Sequence, residues 1–300
     1  MRVLNTSSKT VCGVLVGAML SLAGARMASA QAPSAPAPPK PNSGAITFTG
    51  AFDVPQVYFF RGIRQEGDPK LTMSPAADIG IALLADGKGG LKSSTINFGV
   101  WNSLQTGSTG TKGPSERLHY EEDFYAALNL GFGGGVGVGT TFTAYSSPNG
   151  MFTTVKEIMF KVTKAHMINP YGIVAFEIGG EKSGQADGGA KKGTYVELGV
   201  GPSWPIGKSK ATIAVPVKIG LSAKDYYELA GKDNKFGFFD VGGLVTYPLA
   251  TVPAQFGSWN VHFGADVLAL GTTTKAFNVH KDDEPKKGQV IVSGGIGVSY

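Results

Sequence analysis

Beyond residue 45, apolar and polar side chains take turns along the chain in twelve segments, at 46–61, 71–84, 93–103, 117–131, 134–146, 152–165, 170–180, 193–203, 210–222, 236–248, 259–270 and 288–300. A period of two gives a strand with two unlike faces. Gly, Pro, Asn and Asp punctuate the segments, as turns require. In 117–131, Tyr120, Phe124, Ala126, Leu128, Leu130 and Phe132 share one face, and His119, Glu121, Asp123, Tyr125 and Asn129 share the other. In 236–248, Phe239, Val241, Val245 and Tyr247 oppose Phe238, Asp240, Gly242 and Thr246. In 259–270, Trp259, Val261, Phe263, Ala265 and Val267 oppose His262, Gly264 and Asp266. Helical periodicity is scarce, and no run after Ala30 offers the roughly 18 apolar residues of a membrane helix.

Two further patterns turn alternation into an architecture. Several apolar faces carry an aromatic at an end and aliphatics between, as girdles at two lipid–water boundaries would. Connections after odd segments (62–70, 104–116, 147–151, 181–192, 223–235, 271–287) are mostly long and polar, and those after even segments mostly shorter. Outer-membrane barrels have that asymmetry, with long loops outside and short periplasmic turns. The expectation is an all-β, transmembrane, antiparallel meander β-barrel of about twelve strands in a bacterial outer membrane. A soluble periplasmic β-sandwich or lipocalin-like binder is the rival.

The ends of the chain fit export. Arg2 and Lys9 precede a short apolar stretch at 11–22, and Ala28-Ser29-Ala30 forms a small-residue cleavage site. That order reads as a signal peptide over 1–30. Residues 31–44, rich in Pro and Ala, read as an extended spacer before a barrel domain at 45–300. Cys12 is the sole cysteine and lies in the signal, so the mature chain has no disulfide or thiolate site. Loss of Arg2, Lys9 and Arg26 lowers the net charge from +5 to +2, which removes the case for nucleic acid. At the far end Val290, Val292, Ile296, Val298 and Tyr300 share one parity. Such a strand must pair with the first one, or a bare edge would lie in hydrocarbon. It resembles the terminal strand that the outer-membrane assembly machinery reads, with Val292, Ile296, Val298 and Tyr300 as its signal.

The stretch "YFFRGIRQEGDPKL", from Tyr58 to Leu71, carries a second resemblance. Tyr58, Phe60, Arg61, Gly62, Ile63, Gln65 and Pro69 match a Tyr-x-Phe-Arg-Gly-Ile-x-Gln pattern followed by a polar turn and Pro. This resembles the opening of a proteobacterial family of outer-membrane barrel-like proteins, the Gcw_chp-like family. The resemblance implies a barrel and supplies no substrate. Asp53-Val54-Pro55-Gln56 departs from the regular strand expected just before it, and a bulge or bend at Pro55 would explain the departure.

Signals for catalysis are poor. There is no Gly-x-Ser-x-Gly elbow, His-Glu-x-x-His or P-loop. "GFGGGVGVG" at 131–139 has the wrong spacing for a dinucleotide fingerprint and reads as a tight turn entering a strand. His119 and His262 fall on polar faces, which leaves a Ser–His barrel hydrolase conceivable. "HKDDEPKK" at 280–287 reads as a solvated loop, since no EF-hand spacing is present. The expectation is no catalysis, no metal and no cofactor.

The polar faces are more informative. Alternation places Asp53, Asp78, Glu121, Asp123, Glu157, Glu177, Glu197, Asp240 and Asp266 inside the barrel, with Arg61, Lys161 and Lys218. A Lys or Arg facing lipid at midplane would cost about 2–4 kcal/mol. Two readings follow. A water-filled acidic lumen would pass small solutes and favour cations, as a charged ring does. A packed interior, in which acids and bases neutralise one another, would make a plugged structural or surface barrel. Twelve strands lie between small filled barrels and open porins, so either is open. Lysines at 112, 182, 191, 192, 224, 232, 235, 275, 281, 286 and 287 sit in the long connections. They suit outer-membrane lipids and the phosphates of lipopolysaccharide, or simply keep the loops solvated.

Overall fold

Twelve antiparallel strands follow one another around a closed wall in the computed structural model, which describes residues 45–109, 118–179, 191–280 and 283–300. They are β1 (Ile46–Pro55), β2 (Thr72–Leu84), β3 (Leu91–Gln105), β4 (His119–Phe132), β5 (Val136–Ser146), β6 (Val155–Lys164), β7 (Tyr171–Ile178), β8 (Thr194–Val200), β9 (Val217–Lys224), β10 (Phe236–Pro248), β11 (Ser258–Leu270) and β12 (Gly288–Ser299). Each pairs with the next, and β12 returns to β1 in a register from Thr49↔Ser299 to Pro55↔Ser293. Tyr300 finishes the seam: its N–H donates to Phe48 O at 2.8 Å, and Phe48 N–H donates to Tyr300 O at 2.9 Å. Closure leaves no strand edge running the height of the wall, as a sheet in hydrocarbon requires.

The two faces are as unlike as the alternation implies. On β4, Phe124 is 53 % exposed and its neighbour Asp123 is 0 % exposed. On β11, Phe263 is 68 % exposed and its neighbour His262 is 9 % exposed. Phe48, Ile79, Phe98, Phe142, Phe160, Phe176, Leu198 and Val241 continue the outward apolar belt on other strands. Soluble monomers rarely show contiguous apolar patches above a few hundred Å². A belt around the whole wall is the outside of a barrel in lipid. No helix among the described residues is long and apolar enough to cross a membrane.

Three expectations need correction. The first segment does not run to 61. Pairing of β1 ends at Pro55, and residues 57–66 turn into the barrel. Proline has no N–H to continue a ladder. Tyr120 is not on the lipid face. The register between β3 and β4 shifts where Ser103 pairs with Glu121 and Leu104 with His119, so the unpaired Tyr120 swings inward and is buried. An extra residue in one strand does this. The ninth segment is broken: a short hairpin of Ser203–Pro205 and Thr212–Ala214 precedes β9, and Pro216 lies in the gap. There Gly242 N–H donates to Pro216 O at 2.8 Å.

The turn at 133–135 forms as expected, as a tight turn with Gly134 and Gly135 at positive φ. The signal peptide, the spacer and the lysines at 112, 182 and 281 lie outside the described residues.

Candidate functional site: the filled interior

Within segment 56–71, residues 57–66 enter the barrel as a miniature hairpin. Phe59–Phe60 pairs with Ile63–Arg64 around a two-residue turn, Arg61-Gly62. Both turn residues have positive φ, 48° and 78°, as in a type I′ hairpin. Gly62 is required twice over. Its φ suits glycine, and a Cβ there would come within 2.7 Å of the Phe238 ring. The hairpin buries Val57, Phe59 and Ile63 against Met159, Ile173, Tyr195, Tyr226, Tyr227, Phe238 and Leu268. Its other face buries Tyr58 and Phe60 against Trp101, Tyr120 and Tyr145. An apolar core therefore occupies the space that an open barrel would leave to water.

Arg61 is the centre of that core. Its guanidinium makes a fork with Glu157 of β6, Nη1 to Oε2 at 2.6 Å and Nη2 to Oε1 at 2.7 Å. Nη1 also donates to the Tyr226 hydroxyl at 3.1 Å, and Tyr145 Oη donates to Glu157 Oε1 at 3.2 Å. The guanidinium carbon lies 4.2 Å from the Tyr195 ring centroid and 4.9 Å from that of Phe60. The Tyr227 hydroxyl donates to Arg61 O at 2.8 Å. A planar cation with fixed donors suits such a cage, which Lys could not fill.

The loop between β9 and β10 holds its two tyrosines over the arginine. Asp233 accepts from Ser222 Oγ at 2.6 Å, from Lys235 Nζ at 2.6 Å and from the Asp225 N–H at 3.0 Å. Burial pushes the Asp233 carboxyl up, but bonds from Lys235 and Ser222 outweigh it and hold the group below its usual range. A short helix, Thr272–Phe277, closes over this loop, with Thr273 Oγ1 donating to Tyr227 O at 2.7 Å. At the base of the hairpin Glu66 is 1 % exposed, and Oε2 has no hydrogen-bond partner among the described residues. Burial raises its carboxyl above the usual range, against the bond that Thr109 N–H donates at 3.4 Å.

The other charged residues assigned to the inner faces by alternation are buried or half-buried, and they are held in separate small groups. Asp53 meets His262 Nε2 at 2.7 Å across Gly295, where a Cβ would collide with both. Asp78 accepts from Asn97 at 2.7 Å and from Tyr125 at 2.9 Å. Glu197 accepts from Tyr171 at 2.8 Å and also from Tyr195. Glu177 accepts from Gly193 N–H at 2.5 Å. Lys218 pairs with Asp240 at 3.5 Å. Lys161 stands 4.9 Å from the Tyr171 ring centroid. Glu121 and Asp123 are buried on one inner face of β4, and Asp266 borders a cavity of about 60 Å³ beside Tyr58, Trp101 and Ile291. That volume is room for a few waters.

Sequence reasoning missed the aromatic half of this site. Tyr145 and Tyr195 stand on inner faces, and Tyr226-Tyr227 lies in a connection. The available signal was the run Val57-Tyr58-Phe59-Phe60, where alternation fails and four apolar residues follow one another. Four consecutive apolar residues suit a segment buried on all sides.

For histidine chemistry, His262 spends Nε2 on Asp53 and faces Asn260 with Nδ1 at 3.1 Å, and His119 Nε2 meets Asn102 at 2.9 Å. No group of three or more potential metal ligands occurs among the described residues.

No protein-family model and no curated protein matches the chain. Among solved structures it is similar to the NanC porin, at 12 % identity and a TM-score of 0.43, over 85 % of this chain and 99 % of that one. It is also similar to outer membrane phospholipase A from Escherichia coli, at 10 % identity and a TM-score of 0.42, over 84 % and 92 % of the two chains. The β domain of the Bordetella autotransporter BrkA gives 9 % identity and a TM-score of 0.39, over 86 % and 100 %. No activity transfers to this chain at such values.

Proposed function

We propose that this protein is a plugged barrel of a bacterial outer membrane that works through its surface and its lipid contacts and does not conduct solutes in the state described. The observation that carries this reading is the Arg61 hairpin, fixed to Glu157 inside the wall and packed among aromatics on both faces. The exposed Lys192, Lys224, Lys232 and Lys286 lie at the end bearing the long connections, where lipopolysaccharide phosphates would be neighbours. The outward residues Val292, Ile296, Val298 and Tyr300 are the surface that the assembly machinery would read. The Gcw_chp-like motif coincides with the hairpin, so the plug is the trait this resemblance would share.

Purified protein in liposomes loaded with potassium salt tests the reading. Retention of potassium at the rate of empty vesicles supports it, and rapid efflux contradicts it.

A second reading has its own observation. Nine acids and three bases were placed on the inner side by alternation. Withdrawal of the hairpin would leave an acid-rich passage, and small cations would be its solutes. We propose no catalysis, since the ring nitrogens of His262 are both engaged.

A further inference from the structure

Where segment 56–71 leaves the wall, the wall has a notch. β12 begins at Gly288, but its pairing with β1 starts only at Ser293. Residues 288–292 pair with β11 on one side but have no strand on the side toward β1, and β2 begins only at Thr72. Polar groups collect along this edge. Gln56 N–H donates to Val292 O at 2.8 Å, and Gln289 Nε2 donates to Val290 O at 2.7 Å.

On the lipid side the notch opens as a groove of about 350 Å³, bordered by Val54, Leu71, Phe263, Val292 and Gly294. Its walls are apolar and exposed. Gly294 keeps it open: a Cβ there would come within 3.1 Å of the Phe263 ring. Lys70 lines the same groove, is exposed, and makes no ion pair among the described residues. The volume falls in the range of about 300–1,000 Å³ usual for small-molecule sites.

A partly unpaired edge facing hydrocarbon is costly unless polar groups cover it. Apolar walls, one free cation and a polar rim together describe the complement of an amphiphile. We propose that the notch holds one phosphate-bearing lipid of the surrounding leaflet, with its phosphate against Lys70 and an acyl chain along Val54, Phe263 and Val292. The inference rests on the reading of the barrel as membrane-embedded and surface-acting, and it names one lipid contact.

Native mass spectrometry of the full chain, after delipidation and addition of phosphatidylglycerol or diacylglycerol, tests it. The proposal expects one retained phosphatidylglycerol and little diacylglycerol. Lys70→Gln should weaken retention about fivefold, the usual effect of one lysine near an anionic lipid surface. Val54→Trp, an outward substitution that fills the groove, should abolish it, while circular dichroism shows both variants folded. Equal retention in all three proteins, or equal retention of both lipids, overturns the proposal. So does binding of inorganic phosphate without lipid, or a dimer mass showing that a second copy covers the groove. Any of these outcomes leaves potassium retention unchanged, so the plugged reading is judged separately.

Discussion

Arg61 and Glu157 lie 96 residues apart in the chain and meet through two parallel hydrogen bonds of 2.6 and 2.7 Å inside the barrel. Their side chains are 8 % and 1 % exposed, so each neutralises a charge that water cannot reach. Removing one partner leaves the other buried and uncompensated, which costs about 3–5 kcal/mol. Arg61→Ala and Glu157→Ala should each destabilise the barrel by that order in urea unfolding from detergent. The double substitution Arg61→Met, Glu157→Gln should lose far less than the sum of the two single changes. Additive losses would show that the pair is not coupled.

Gly62 should be intolerant for a reason local to the hairpin. Gly62→Ala combines a φ of 78° with a Cβ only 2.7 Å from Phe238. A loss of roughly 1–3 kcal/mol is expected, in line with other strained backbone positions. Gly89→Ala is the control. Nothing lies within 4 Å of a Cβ at that position, and its change should stay within about 0.5 kcal/mol. The same unfolding experiment reads both.

Glu66 and Asp233 should give pH effects of opposite sign. The folded-state pKa of Glu66 is raised by burial. Its contribution is therefore fully present below the usual carboxylate value of 4.5 and is lost as pH rises through the folded value. Glu66→Gln should raise the melting temperature at pH 7 and leave it little changed at pH 4. Asp233 is held below its usual 3.8, so its contribution is present above that value and is lost as pH falls through the folded one. Asp233→Asn should lower the melting temperature at pH 7, and the deficit should shrink below pH 3.8. Melting curves across this range check both signs.

Nitroxide labels scanned along β11 should alternate. Positions 261, 263 and 265 should report oxygen, which partitions into acyl chains, and position 262 should report neither oxygen nor a water-soluble relaxation agent. A water signal at 261, 263 and 265 would contradict a lipid-facing belt.

The wall was largely legible because period two is a local property. Most residues of β10 and β11 declare their side of the sheet through their own hydrophobicity, the inward Phe238 and Leu268 excepted, and the pairing of β12 with β1 follows from the need to close. What escaped was whatever breaks the local period. The bulge that turns Tyr120 inward leaves no mark in a pattern of apolar residues, since a tyrosine suits either face. The interior pairs were legible as charges but not as partners. Asp53 and His262 are joined across Gly295 by the register of three adjacent strands, which sequence spacing does not encode. The plug was half visible: Pro55 reads in the sequence as a bulge or bend within the first segment, but only the fold shows that the strand ends there and that the aromatics after it turn inward.

Single-channel conductance of the intact protein, set beside a variant with residues 56–71 replaced by a short Gly-Ser turn, tests the central claim most directly. The intact barrel should give a flat baseline, and the shortened one should give cation-preferring openings from an acid-rich lumen that has lost Arg61. Steady openings of the same size from both proteins would show that the hairpin does not seal the barrel.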